Sequence, residues 1–332
     1  MTLTCKIYEE LLSSSEVSKN QISKRYDIAK QYLIYAASKR DKIRHLYFII
    51  NKDDLDLIPS CNGIEIDVVK LPEYDADSYF CNLAQAQGSE SYIFETIVED
   101  IRIKSSEKPD VTIPAVVSAT LRKWKEFFAK NRELILSPER QQGLYGELRF
   151  LEYLIGLRGE KAVNCWTGCN YETHDFYVDR NAIEIKTTST KAPYKMHISS
   201  EYQLDDKEVE GVLFVKFYAL RKSEADGEKL VEIITRIREN LKNNPHALFM
   251  FNEKLEEYGY FDVVADKYAA GYSDRMESTY RVSDNFPRII SNDLINGVSN
   301  CSYEVCVDQC IGYTVEAEQL TLVLKREGNN VR

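Results

Sequence analysis

The stretch YETHDFYVDRNAIEIKTTS, residues Tyr171–Ser189, decides how the rest of the chain is read. Two short arms, Asp175–Val178 and Ile183–Thr187, flank the polar tripeptide Asp179-Arg180-Asn181, the pattern of a β-hairpin. Successive side chains leave a strand on opposite faces, so Glu184 and Lys186 share one face while Ile183 and Ile185 share the other. Glu and Lys are poor strand residues, which makes their place among isoleucines informative. The turn carries Asp175 back toward Glu184. Two carboxylates and an ammonium gathered at a sheet edge form a site for a divalent cation, with the main-chain carbonyl of Ile185 as a further ligand. A surface hairpin with a solvated Glu–Lys pair is the plain alternative.

Upstream, Ser137-Pro138-Glu139 combines a capping serine, a proline at the first helical position and an acid in the first turn. The helix it starts runs to about Leu157, with Leu144, Leu148, Leu151 and Ile155 as its apolar stripe. Gly143 and Gly146 each cost a helix roughly 1 kcal/mol relative to alanine, which suggests close approach to another backbone. Glu147 borders the stripe, either as a boundary glutamate held by an arginine or as an additional acid for the hairpin site. Downstream, Ala162–Trp166 reads as a short first strand, the hairpin as the second and third, and Met196–Ser199 as an extension of the sheet. Ser200–Leu204 suits a short helix, and the nearly all-apolar Gly211–Leu220 suits a central strand buried on both faces.

Asp175, Glu184 and Lys186 resemble the signature of the PD-(D/E)XK, or restriction-endonuclease-like, nucleases, with His174 standing where that motif has proline. The order helix, three strands, helix, strand matches the αβββαβ core of that superfamily within a mixed α/β fold. The resemblance implies that the two acids hold Mg²⁺ or Mn²⁺, that Lys186 assists the attacking water, and that Glu147 is an extra acid able to position a second ion. More narrowly, GLYGELRFLEYL (143–154), HDFYV, IEIKTTS, HISSEYQL (197–204) and NFPRII (285–290) are together similar to a bacterial family known as PD-(D/E)XK motif proteins. That family resembles restriction and phage-defence components encoded beside DNA methyltransferases or ATPase-type partners. The implied activity is Mg²⁺-dependent DNA endonuclease; the alternative is a catalytically silent subunit that binds DNA or a partner protein. Gln203 matches a family position and implies a polar contact to substrate or to a metal-bound water. Thr187 and Thr188 are candidate phosphate contacts, and cutting both strands with one site per chain implies a homodimer.

Charge and composition bound these readings. The 332 residues carry a net charge of −10, against a general coating of nucleic acid, which needs a basic face. Locally, however, residues 185–200 hold Lys186, Lys191 and Lys195 and no acid, so a positive strip beside the hairpin is expected. The sequence contains no GxxxxGK[ST], GxGxxG or HExxH motif, which argues against nucleotide-driven motors, dinucleotide enzymes and zinc peptidases. The eight cysteines read as thiols, since neither Cys165/Cys169 nor Cys301/Cys306/Cys310 has CxxC spacing. No apolar run approaches the roughly 20 residues of a membrane span, and MTLTCKIYEE lacks the features of a signal peptide; a cytoplasmic location is expected.

Residues 1–110 read as an N-terminal α+β region with strands at His45–Ile50 and Ile64–Leu71 and a helix at Tyr92–Ile103. Residues 111–332 read as the nuclease-like domain, core 137–220, with a strand-rich C-terminal extension. The polar, proline-containing segment 104–115 is the expected linker, followed by an amphipathic helix over 117–133 whose Arg122, Lys123, Lys125 and Lys130 face solvent. Helices are expected at 228–241 and 247–256, and strands at Tyr280–Val282, Tyr303–Val307 and Leu320–Leu324.

Overall fold

The computed structural model describes residues 2–14, 21–29, 31–130, 134–170 and 172–325. Tyr171, the side chain of Lys130 and residues 131–133 of the expected third helix lie outside the described residues. The chain divides into two compact units, Met1–Leu134 with Asp262–Asp266, and Ile135–Phe261 with Lys267–Arg332.

The first unit contains α1 (Leu3–Ser13), β1 (Gln21–Ile28), β2 (Gln31–Ser38), β3 (Arg44–Ile50), β4 (Ile64–Val69), β5 (Tyr79–Gln85), α2 (Ser91–Glu107) and α3 (Ile113–Lys130). Its five strands form an antiparallel sheet in the order β1-β2-β3-β5-β4. The expected strands at 45–50 and 64–71 and the helix at 92–103 are present. The segment 104–115 is not a linker: α2 continues through Glu107 and α3 begins at Ile113. Leu121 and Trp124 of α3 are buried together with Ile97 and Ile101 of α2, and the Trp124 indole donates to Asp100 at 3.0 Å. That packing keeps α3 within the first unit, whose main segment ends at Leu134 rather than near residue 110.

The second unit opens with α4 (Pro138–Arg158), capped as the sequence requires: Ser137 accepts from the Arg140 amide at 3.3 Å, and Gly159 closes the helix at φ +70°. Its sheet runs β10-β11-β9-β7-β6, built from β6 (Phe176–Val178), β7 (Asn181–Thr188), β9 (Leu213–Ser223), β10 (Glu228–Lys229) and β11 (Gly271–Arg281). β6 and β7 are the expected hairpin, Phe176 pairing with Ile183 and Val178 with Asn181. β9 is parallel to β7 and central, buried over its first eight residues as a strand covered on both faces should be. Helices α5 (Leu230–Leu241) and α6 (Pro245–Tyr258) follow.

Four local expectations give way to tertiary structure. Ala162–Cys165 lies in a 3₁₀ helix, Gly159–Cys165, and Trp166 just after it makes an isolated β-bridge to Phe176. Residues 195–198 form β8 (Lys195–Ile198), which pairs with β12 (Tyr303–Cys306) in a separate two-stranded ribbon rather than extending the main sheet. Ser200–Leu204 is a bend and turn, not a helix. Leu320–Leu324 belongs to a helix, α7 (Ala317–Lys325), where spacing by four buries Leu320 and Leu324 on one side. Met196, Ile198 and Val305 from the ribbon, and Val307 just beyond it, pack with Ala182, Val215 and Phe217 of the main sheet in one apolar core. Ile185 and Thr187 instead face α4 at Gly146.

Candidate active site

Helix α4 brings a carboxylate to the hairpin because it carries no side chain at residue 146. A Cβ at Gly146 would lie 2.3 Å from the Thr187 methyl and 3.3 Å from that of Ile185, so only glycine allows this approach. The next residue, Glu147, is 6% exposed, and its Oε2 accepts from the Trp166 indole at 2.7 Å. The Tyr258 hydroxyl lies within hydrogen-bonding reach of the same carboxylate. No arginine is needed to hold it: Arg149 is engaged with Asp274 and Glu277.

Asp175 sits just before β6. Its main-chain carbonyl accepts from the amides of Thr167 (2.8 Å) and Gly168 (3.1 Å), and its Oδ2 accepts from the Ile185 amide at 2.7 Å. A Cβ placed on Gly168 would be 2.6 Å from Glu147 Oε2 and 2.8 Å from Asp175 Oδ1. These two oxygens therefore border one small space that a glycine leaves open.

Glu184, 1% exposed, directs Oε1 to the Lys186 ammonium at 2.8 Å. Lys186 also donates to Gln203 Oε1 at 2.7 Å, and that oxygen accepts from the Ser199 amide at 2.9 Å. The turn bearing Gln203 is pinned twice. Glu201, 1% exposed, accepts from the amides of Asn300 and Cys301, and Arg288 binds the Leu204 carbonyl and Asp206. The segments HISSEYQL and NFPRII thus serve the position of one lysine.

The electrostatics are those of too many acids for the available bases. Burial first, then Glu184 and Glu147, hold the Asp175 carboxyl well above the usual carboxylate range, with Lys186 and the Ile185 amide opposing. Burial pushes Glu147 up to about 7 despite the Trp166 and Tyr258 donors. Lys254, the nearby buried cation, is spent on the Trp166 carbonyl. The charge balance and the space beside Gly168 suit a divalent cation. Among the described residues, however, no three His, Cys, Asp or Glu side chains converge as a complete metal-holding set. Water or substrate oxygens would have to complete any coordination sphere.

The structure gathers Glu147, Asp175, Glu184, Ile185, Lys186 and Gln203, the last through Lys186. The remaining candidates have other surroundings. Thr187 Oγ1 accepts from Gln142 at 3.1 Å, and Thr188 is buried with its hydroxyl bound to Thr190. Lys195 pairs with Glu304 at 2.6 Å, and Lys191 is exposed. Sequence reasoning missed Trp166, Tyr258, Gly168 and His174. His174, which regular strand alternation would turn to the face opposite Asp175, lies with Nδ1 3.7 Å from Glu184 Oε2. The irregular approach to β6, where Thr167 and Gly168 hold the Asp175 carbonyl, breaks that alternation.

No curated protein and no solved structure shows significant similarity to the chain. A family profile described as "Putative PD-(D/E)XK family member, (DUF4420)" matches residues 5–308, spanning the helix, the hairpin and the turn that build the acid–lysine cluster. The chain belongs to that family.

Proposed function

We propose that this chain is a divalent-metal-dependent endonuclease that hydrolyses DNA phosphodiester bonds, using Mg²⁺ or Mn²⁺. The observation that carries this reading is the gathering of two buried carboxylates, Glu147 and Glu184, and the half-buried Asp175 around a single engaged ammonium, Lys186. Asp175, Glu184 and the Ile185 carbonyl would hold the ion, with Glu147 beside them. When bound, such an ion acidifies a water and offsets charge on the scissile phosphate. Lys186, fixed between Glu184 and Gln203, is placed to orient the attacking water and to face the charge that builds on the phosphate oxygens. Burial holds the Glu147 carboxyl above the usual carboxylate range, so it can hold or release a proton there. The resemblance of its family to restriction and phage-defence components implies a role in cytoplasmic restriction or anti-phage defence, beside a methyltransferase or an ATPase-type partner.

The test is cleavage of supercoiled plasmid DNA by the full chain under Mg²⁺ and Mn²⁺ titration. Nicked or linear product that requires the ion and is lost in Lys186→Ala is the expected result. Ion-dependent cutting that survives Lys186→Ala would place the chemistry elsewhere. DNA binding without cutting at any ion concentration would instead make the chain a silent binding subunit.

A further inference from the structure

His174 and Glu184 are among the most deeply buried polar residues of the second unit, 3% and 1% exposed. Glu184 spends Oε1 on Lys186, but among the described residues Oε2 has no hydrogen-bond partner, and neither does His174 Nδ1. These two atoms face each other across 3.7 Å, too long for a hydrogen bond. A buried polar atom left unpaired costs about 1–3 kcal/mol, and two such atoms facing each other share a single remedy. Two donors bound to one ion at about 2.1 Å each can stand up to roughly 4.2 Å apart, so the observed gap fits an ion between them.

We infer that His174 Nδ1 and Glu184 Oε2 are joint ligands of a divalent transition-metal ion. The assignment rests on the metal-dependent reading of the same site and makes one of its donors nitrogen. His174 lines a cavity of about 280 Å³ shared with the exposed Tyr177 and Tyr202. His174 adds a nitrogen to the donors proposed above, and water and substrate oxygens fill the positions that remain. An imidazole nitrogen favours Mn²⁺, Co²⁺ or Zn²⁺ relative to Mg²⁺, which prefers oxygen alone. His174 thereby gains a role that the proline of the usual motif has no group to fill.

The experiment uses the full chain loaded with Mn²⁺ alone. Pulsed electron paramagnetic resonance is expected to show a directly coordinated ¹⁴N, absent in His174→Ala. Calorimetric titration is expected to show Mn²⁺ affinity falling about 10-fold or more in His174→Ala, with Mg²⁺ affinity much less affected. Bound Mn²⁺ without nitrogen coupling in the unsubstituted protein would overturn the ligand assignment while leaving the nuclease reading intact. That spectrum depends on no variant's folding. Failure of the unsubstituted protein to bind Mn²⁺ at all would overturn both. If Mn²⁺ and Mg²⁺ affinities fell equally in His174→Ala, the histidine would be a packing residue and the inference would be refuted.

Discussion

Replacing Gly146 by alanine tests the geometry on which the site depends. The new methyl would meet the Thr187 methyl at 2.3 Å and that of Ile185 at 3.3 Å. Thr187 cannot simply turn away, because its hydroxyl is held by Gln142. The helix must therefore retreat from β7, an overpacking cost of about 1–3 kcal/mol. Against this stands the gain of about 1 kcal/mol from removing glycine inside a helix. Gly156→Ala, in the same helix with nothing among the described residues within 4 Å of its added carbon, receives the gain without the cost. The difference between the two variants isolates the packing term, with Gly146→Ala less stable by about 1–3 kcal/mol. In a Trp124→Phe background Trp166 is the one remaining tryptophan, so urea titration followed by its fluorescence reports unfolding next to Glu147. Stability of Gly146→Ala equal to or above that of Gly156→Ala would refute the close helix–strand contact, and with it the reason Glu147 reaches Asp175.

Acidity supplies a second expectation. Burial raises the Glu147 pKa from 4.5 to about 7 and raises Asp175 as well, so the folded chain keeps protons that the unfolded chain has released. Stability of the metal-free protein should fall as pH rises from about 4.5 through 7, by on the order of 3 kcal/mol for Glu147 alone. Thermal melts across that range check this, and Glu147→Gln should flatten the slope; a melt that rises with pH would contradict it. Stabilisation by added Mn²⁺ should grow over the same interval, because binding displaces those protons. Trp166→Phe removes the indole donor to Glu147 and should cost about 1–3 kcal/mol in urea unfolding. Gln203→Ala leaves Lys186 one partner and should slow plasmid cleavage about 10-fold without changing DNA affinity; an equal loss of affinity would instead indicate a substrate contact.

The features legible in the sequence were those written in local chemistry. The Ser-Pro-Glu start of α4, the polar turn between β6 and β7 and the long apolar run of β9 each state their structure within a few residues. The Glu–Lys pair on the hairpin was readable because alternation fixes which side chains share a face. What was not readable depends on distant partners. Trp166 looks like a strand residue until its indole is seen to serve Glu147, nineteen positions earlier. β8 looks like part of the main sheet until its partner proves to be β12, more than a hundred residues later. His174 eluded a rule of regular alternation because the chain bends before entering β6. The hairpin β1–β2 was missed because β1 is mostly polar and no strong turn signal separates it from the apolar β2.

The parallel pairing of β7 with β9 has its own lesson for how such a chain can diversify. Two parallel neighbours cannot be joined by a tight turn; the polypeptide must travel back across the sheet. Here the return journey, residues 189–212, includes the bend whose glutamine grips the lysine. Topology makes this detour compulsory, so descendants can remodel its course but never excise it. A tether for the Lys186 ammonium has been lodged in a connection the architecture is obliged to keep.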